Sequence, residues 1–378
     1  MLSLRDKLRA TQNVPRRSAP ARKTAEDCFV RETRFELPEG CHLADGTLRL
    51  MQGDPNIPHH TAPEDFLFLD TETTGLSHGA GTVAFLVGVG VIEDGGLTVR
   101  QYLMRDYDEE GFVLRRTLRD LDACGVLVTF NGRSFDMPLL ETRFVMQRMR
   151  TDTAEIPHAD LLHTARRVWK LRLKRCNLAS LEELIFHEPR EDDLPGAEVP
   201  QRYFDYLKRH DFSLLEDVLR HNAQDIASLA RLLFALGRLH ENPLSAEHLQ
   251  DIYSLGRVYE KRGRIQEARM CYSAADAGSM SALSRERLAD TFRRERRPEE
   301  AAAIYEKMIA ARQGGAKPYI ALSKLLEHRL KAPQAAMDIA RRGLLYAADL
   351  PPSARNQADF DDLTRRLARL MQKTGGKA

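Results

Sequence analysis

One short run constrains this chain more than any other. Phe66-Leu67-Phe68-Leu69 is continuously apolar and breaks directly into Asp70-Thr71-Glu72. A strand without polar alternation is buried on both faces, so it needs a layer of packed elements on either side. Side chains at i and i+2 of a strand share a side, so the Asp70 and Glu72 carboxylates can converge on one ion. Two anions placed together repel unless a cation or its equivalent neutralises them.

The surrounding text reads as mixed α/β. Thr82 to Ile92 and Leu97 to Met104 have strand character, and Glu93-Asp94-Gly95-Gly96 between them reads as a hairpin turn. Asp106, Asp108, Glu109 and Glu110 precede an amphipathic stretch to Asp122, as acids suit a helix N-terminus. Val126 to Phe130 is a further apolar strand, and Pro138 falls in the first turn of a helix running to about Met149. A segment around Ile156 to Asp160 leads into helical text at Leu161–Lys170. Glu188 to Pro200 reads as a surface loop, and helices are expected at Tyr203–His210 and Leu214–Leu239. This order predicts a mixed α/β layer structure.

The last third has another texture. Leu255-Gly256, Tyr259, Gly263, Ala268 and Tyr272 recur as Leu288-Ala289, Phe292, Arg296, Ala301 and Tyr305. They recur again as Leu322-Ser323, Leu326, Leu330, Ala335 and Ile339. The offsets resemble the tetratricopeptide repeat, whose unit is a packed helix pair with small residues at the crossing.

Composition removes several classes. The 378 residues suit roughly two to three domains, and 43% hydrophobic with 30% charged residues is an ordinary globular mix. The longest weakly polar run, Val83 to Ile92, is too short to span a bilayer. No secretory leader is read after Met1, and five scattered cysteines without a CxxC pair point to a reducing cytoplasm. Membrane, secreted and disulfide-scaffold classes are therefore not expected. The net charge of +2 divides into +6 for residues 1–25, −12 for 26–244 and +8 for 245–378. Either basic flanks gather a polyanion while an acidic centre holds divalent cations, or the surface charge simply drifts along the chain.

Two further acidic motifs follow the first. Asn131-Gly132-Arg133-Ser134-Phe135-Asp136 follows the Val126 strand and opens a helix. His221-Asn222-Ala223-Gln224-Asp225 lies on the long helix, where i and i+4 share a face. Other features weigh less. Gly88-Val89-Gly90 has Glu93 where a dinucleotide motif needs its third glycine. His59-His60 and Cys41 form no zinc pattern. His158, Asp160 and His163 are close together, with Asp160 read as a structural cap. Arg166 to Arg175 holds six cations and no acid, with Trp169 interleaved, either to grip phosphates and stack a base or as a solvated face with Trp169 in the core. In the latter case Asp160 and Glu182 can pair with part of it. Arg293, Arg294, Arg296 and Arg297 read as a solvated repeat turn.

Taken in order, the motifs resemble those of the DEDD exonucleases of the ribonuclease-H-like fold. DTETTGL at residues 70–76 looks like the first motif of the proofreading branch, and NGRSFD looks like the second, Asn-x3-Phe-Asp. Gly79-Ala80-Gly81-Thr82, Phe85-Leu86-Val87-Gly88-Val89-Gly90 and His158-Ala159-Asp160-Leu161-Leu162-His163 look like the bacterial YprB-type family, which also carries tetratricopeptide-like tails. The resemblance implies a basic arm over 1–27, a ribonuclease-H-like domain with a mixed central sheet flanked by helices over 28–240, and an all-α helical-hairpin repeat domain over 245–378. It further implies that Asp70, Glu72, Asp136 and Asp225 bind two Mg²⁺ or Mn²⁺ ions. His221 would orient or deprotonate the attacking water. Thr74, Gly75, Leu76 and Asn131 would contact nucleic acid, joined by Arg166, Arg167 and Lys170 of the basic segment. One departure is plain: the His branch spaces its third motif His-x4-Asp, whereas here it is His-x3-Asp, the interval of the Tyr branch. The expected activity is 3′→5′ exonuclease on single-stranded DNA or RNA, the repeats offering a surface for a protein partner. Internal cutting at the same site and a nucleic-acid-binding adaptor without catalysis are the alternatives.

Overall fold

The computed structural model describes residues 28–37, 40–75, 81–190, 194–351 and 353–375. The basic arm and Leu76 lie outside these described residues.

Six strands form one sheet in the order β1-β4-β3-β2-β5-β6. They are β1 (Phe29–Glu36), β2 (Phe66–Thr73), β3 (Ala84–Glu93), β4 (Gly96–Leu103), β5 (Val126–Thr129) and β6 (His158–Asp160). β2 pairs antiparallel with β3 and parallel with β5, which pairs parallel with β6. The β3–β4 hairpin turns at Asp94 and Gly95, both with positive φ, the geometry that matches the twist of two-residue hairpins. Strand β1 was not foreseen; its alternating half-buried and exposed residues mark an edge strand carried by β4 alone.

The helices around the sheet are α1 (Thr47–Gln52), α2 (Glu110–Ala123), α3 (Asp136–Met146), α4 (Leu161–Trp169), α5 (Leu178–Leu181), α6 (Val199–Arg209) and α7 (Glu216–Glu241). The apolar run is covered on both sides. Phe66 and Phe68 join a core with α4 and α7, while Leu67 and Leu69 join a second core with α2, α3 and α6. On the second face Phe85 and Tyr203 stack with centroids 4.1 Å apart, an arrangement adding roughly 0.5–1.5 kcal/mol beyond burial. Trp169 is 1% exposed in the first core, so it is not a base-stacking platform; α4 turns its apolar side, and the indole with it, against the sheet.

The remaining helices are α8 (Leu249–Lys261), α9 (Ile265–Ala274), α10 (Ser281–Arg294), α11 (Pro298–Ala310), α12 (Lys317–His328), α13 (Pro333–Ala348) and α14 (Ala354–Gly375). They pack as successive pairs at the sequence offset, with small residues at the crossings. A Cβ on Gly256 would come 2.8 Å from the Tyr272 ring, Ala289 is fully buried, and the Ser323 hydroxyl donates to the Ala336 carbonyl at 2.8 Å. Helix α14 is pinned by a buried carboxylate: Glu327 accepts from Arg366 at 3.1 Å, Arg369 at 2.6 Å and Lys373 at 3.4 Å. The helical part is continuous with the sheet part, since Leu255 of α8 lies in the first core and Arg172 pairs with Asp251 at 2.8 Å.

The passage of α7 over the sheet positions the acids. Arg31, Gln101, Gly88 and Asp70 stand in register across β1, β4, β3 and β2. Glu216, Leu219 and Asn222 of α7 follow that row, through Arg31–Glu216 at 2.7 Å and Gln101 Nε2 donating to the Leu219 carbonyl at 2.7 Å. A Cβ on Gly88 would lie 2.2 Å from Asn222 Oδ1 and 2.4 Å from Ile226 Cδ1, and one on Gly90 2.5 Å from Ile226 Cγ2. The glycines that fail as a dinucleotide motif therefore permit this close approach. Gly88→Val should destabilise the protein by about 1–3 kcal/mol, the usual cost of overpacking, seen as a lower urea midpoint; an unchanged midpoint would contradict this packing.

Candidate active site

The acidic motifs meet at the carboxyl ends of β2, β5 and β6, beside the line where the sheet changes from antiparallel to parallel pairing. The strand order also reverses there, between β2 and β5, and ligands of open α/β sheets bind at such switch points. Strand β2 runs to Thr73, four residues beyond the apolar run, because it keeps pairing with β3 through Thr73–Ala84. Asp70 and Glu72 are thus inside the strand, separated by Thr71. The Thr71 hydroxyl donates to Asp136 Oδ1 at 2.5 Å, tying the first residue of α3 to β2.

Asp136 is delivered by a tight loop. Asn131 has φ 71°, and a Cβ on the next residue, Gly132, would fall 2.5 Å from Thr129 Cβ. Asp160 fixes this loop, accepting from the backbone N–H of Asn131 at 2.9 Å and Arg133 at 3.3 Å while capping α4 through Leu162 N–H at 3.1 Å. Its carboxylate is thereby spent on backbone, and it does not pair with the basic segment. His158 faces Thr129 Oγ1 at 2.7 Å, and burial pushes its imidazole down to about 4. His163 is exposed on α4. This histidine–aspartate group is therefore scaffold and surface around the loop.

Asp70 feels the charges of the other three acids. Asn222 Nδ2 donates to Asp70 Oδ2 at 2.9 Å, and Asn222 Oδ1 accepts from Gln101 Nε2 at 2.9 Å, so an amide chain fills the space above Gly88. Desolvation first, then the charges of Asp225, Asp136 and Glu72, hold the Asp70 carboxyl well above the usual range. Burial lifts Asp136 to about 6 against the opposing hydrogen bond from Thr71. Burial also raises Asp225, with Arg190 opposing.

Sequence reasoning did not foresee Arg190. It lies in the stretch read as a surface loop, yet its guanidinium reaches Asp225, pairs with Glu182 at 2.7 Å, and donates to His221 Nδ1 at 3.3 Å. Glu182 is 2% exposed and pairs here, not with the basic segment. His221 Nε2 stands 3.7 Å from Asp225 Oδ2. Nothing in the local pattern marks Arg190 or Glu182, since they meet only through the fold.

A cleft of about 440 Å³ opens beside Glu72 and Asp136, lined also by Gly75, Thr82, Phe135 and Leu139. Phe135 is 48% exposed there, an aromatic face at the cleft that its place in the second motif only hinted at. Thr74 clasps the start of β3, accepting from Val83 N–H at 3.0 Å through its hydroxyl. Arg166 and Lys170 are exposed on and just after α4. Arg167 instead turns inward to donate to the Met51 carbonyl at 2.6 Å and Thr164 Oγ1 at 2.8 Å.

The donor set fits hard divalent cations. Asp70 feels the charges of Glu72, Asp136 and Asp225, the carboxyls of Asp70, Asp136 and Asp225 have raised pKa values, and oxygen donors are what Mg²⁺ and Mn²⁺ take. Among the described residues no three His, Cys, Asp or Glu side chains close to ligating distance, and Arg190 brings positive charge to Asp225.

Sheet order, switch point and carboxylates together define a ribonuclease-H-like domain, and residues 67–236 match the family model of the RNase_H superfamily. The uncharacterized protein YprB of Bacillus subtilis (strain 168) is 31% identical over 367 residues, covering 92% of this chain and 86% of its own. The chain belongs to the YprB family. The solved structure of the family B DNA polymerase from the hyperthermophilic archaeon Pyrobaculum calidifontis matches 52% of this chain and 29% of its own at 16% identity with a TM-score of 0.37, too slight a likeness to bear on function.

The raised carboxyls make a signed prediction. A carboxyl whose folded pKa exceeds its unfolded value stabilises the fold relatively at low pH, and that contribution is lost as pH rises through the folded value. In chelator, Asp136→Asn should be more stable than wild type at pH 7.5 by about 1–3 kcal/mol, for a shift from about 4 to about 6. The urea midpoints of the two proteins should converge as pH falls toward 4. A gap that does not change with pH would contradict the electrostatic reading.

Proposed function

We propose that this protein is a divalent-metal-dependent nuclease working 3′→5′ on DNA or RNA. The observation that carries the reading is the grouping of Asp70, Glu72, Asp136 and Asp225 at the switch point of a ribonuclease-H-like sheet. These four side chains would hold two Mg²⁺ or Mn²⁺ ions, which when bound supply Lewis acidity and an activated water for phosphodiester hydrolysis. Asn222 orients Asp70, and Thr71 orients Asp136. His221, beside Asp225, is the candidate to take the proton of the attacking water, since a neutral imidazole nitrogen can act as a general base. Phe135 offers a face on which a terminal base can stack, next to Gly75 in the cleft. The 28–240 and 245–378 division would separate catalysis from docking. No helix of the described residues is long and apolar enough to cross a membrane, and all five cysteines are free, consistent with work in a reducing cytoplasm.

The test is digestion of end-labelled single-stranded DNA and RNA with Mg²⁺, Mn²⁺ or chelator, beside Asp70→Ala. The expected outcome is a metal-dependent ladder from the 3′ end that disappears in the variant, with a closed circle untouched. Cutting of the circle would replace the exonuclease with an endonuclease. Equal residual activity in both proteins would remove the nuclease reading and favour a binding adaptor.

Asn222→Ala should lower Mn²⁺ affinity or metal-dependent turnover by roughly 10–100-fold, the usual effect of losing a group that orients a ligand. Calorimetric titration with Mn²⁺ reads this directly. Unaltered binding and turnover would show that the amide chain only packs the helix.

A further inference from the structure

A second charged feature lies away from the carboxylates, where the sheet part meets the repeats. A groove of about 800 Å³ runs between α4, α8 and α10. Each contributes two cations at a spacing that puts them on one helix face: Arg166 and Lys170, Arg257 and Lys261, Arg287 and Arg294. Like charges at these spacings oppose helix formation and repel across the groove. Among the described residues only one carboxylate, Glu260, lines it, pairing with Arg294 at 2.6 Å and approaching Arg287 at 3.8 Å. Arg166, Arg257 and Lys261 are exposed and have no carboxylate partner among the described residues. Such a concentration of uncompensated charge is an electrostatic footprint for a polyanion.

The floor of the groove is fixed. Arg262 Nε donates to the Leu50 carbonyl at 3.1 Å, while Arg167 reaches the Met51 carbonyl, so arginines from both parts satisfy the C-terminal carbonyls of α1. Among the described residues the lining holds no Phe, Tyr or Trp, and Trp169 is buried. His163 is the one ring at the groove, so the surface is built to grip phosphates far more than to stack bases. Its position also matters. Helix α4 starts at Asp160, which holds the loop leading to Asp136, and Arg166 and Lys170 follow at roughly 9 and 15 Å along the helix axis.

We propose that this seam is a second nucleic-acid site, which binds the phosphate backbone irrespective of sequence and holds the polymer whose end enters the carboxylate cleft. The proposal deepens the nuclease reading, on which its choice of polymer rests, and assigns the first helices of the first two repeats to substrate rather than to a protein partner. Binding is measured by fluorescence anisotropy with labelled single-stranded and hairpin oligonucleotides in chelator, where nothing is cut. The triple variant Arg166→Glu, Arg257→Glu, Lys261→Glu should lose at least about 10-fold in affinity, with the slope of log K against log salt reduced by about 2–3. The double variant Arg341→Glu, Arg342→Glu on α13 should bind within a few-fold of wild type. The two oligonucleotide arms report whether a single strand or a duplex is the form held.

Thermal melting checks the fold; a triple variant that melts early is replaced by the corresponding alanines, with the same expectation of weaker, less salt-sensitive binding. Unchanged affinity and salt slope, or an equal loss in the α13 control, would overturn the proposal. Hydrolysis of the small phosphodiester thymidine 5′-monophosphate p-nitrophenyl ester with Mn²⁺ separates the two readings. It should be the same in wild type and triple variant, because so short a substrate does not reach the seam. No hydrolysis by wild type, with binding lost in the triple variant, would remove the nuclease reading and leave the seam standing.

Discussion

The close passage of α7 over β3 is the constraint on which the rest depends. Gly88 and Gly90 remove the side chains that would hold the helix away, and Asn222 descends into the gap to bridge Gln101 and Asp70. One buried amide thus fixes the height of α7, the rotation that brings His221 and Asp225 to the acids, and the orientation of Asp70. Buried amides are costly when unpaired, so a helix set one residue out of register would leave Asn222 and Gln101 without these partners. The same element carries Leu229, Leu233 and Phe234 into the core that holds Trp169, so the site and the fold share one packing event.

Electrostatically the site opposes the fold that builds it. Asp70, Asp136 and Asp225 all have raised pKa values, which means that ionising them costs stability. Arg190 opposes this at Asp225, and it pairs with Glu182 as well. Its guanidinium supplies the positive charge that a divalent cation at the proposed site would also supply. The seam shows the converse imbalance, with cations facing one another across a groove.

Much of the fold was legible because its signals are local. The unbroken run Phe66–Leu69 announced a strand covered on both faces, and two cores do cover it. The Gly95 turn marked the hairpin, Pro138 marked the start of α3, and the recurring small residues marked the helix crossings. Strand β1 escaped because its alternating charged pattern, FVRETRFE, carries little apolar signal; β4 supplies its order through pairing. Trp169 illustrates the other limit. Its basic neighbours suit either a nucleic-acid face or a solvated helix, and only the rotation of α4 against the sheet decides for the core.

By itself the sequence determined the order of elements and which acids they carry, because hydrophobic period, turn residues and strand parity act over a few neighbouring residues. It also determined the family, through motifs that keep their order along the chain. Only the tertiary structure decided that Asn222 bridges to Asp70, that Arg190 reaches from a distant loop to Asp225, that Asp160 serves backbone rather than the cation cluster, and that α4, α8 and α10 combine their charges in one groove. Those relations join residues tens to more than a hundred positions apart, and their geometry is set by helix packing distances and sheet register, which no local pattern encodes.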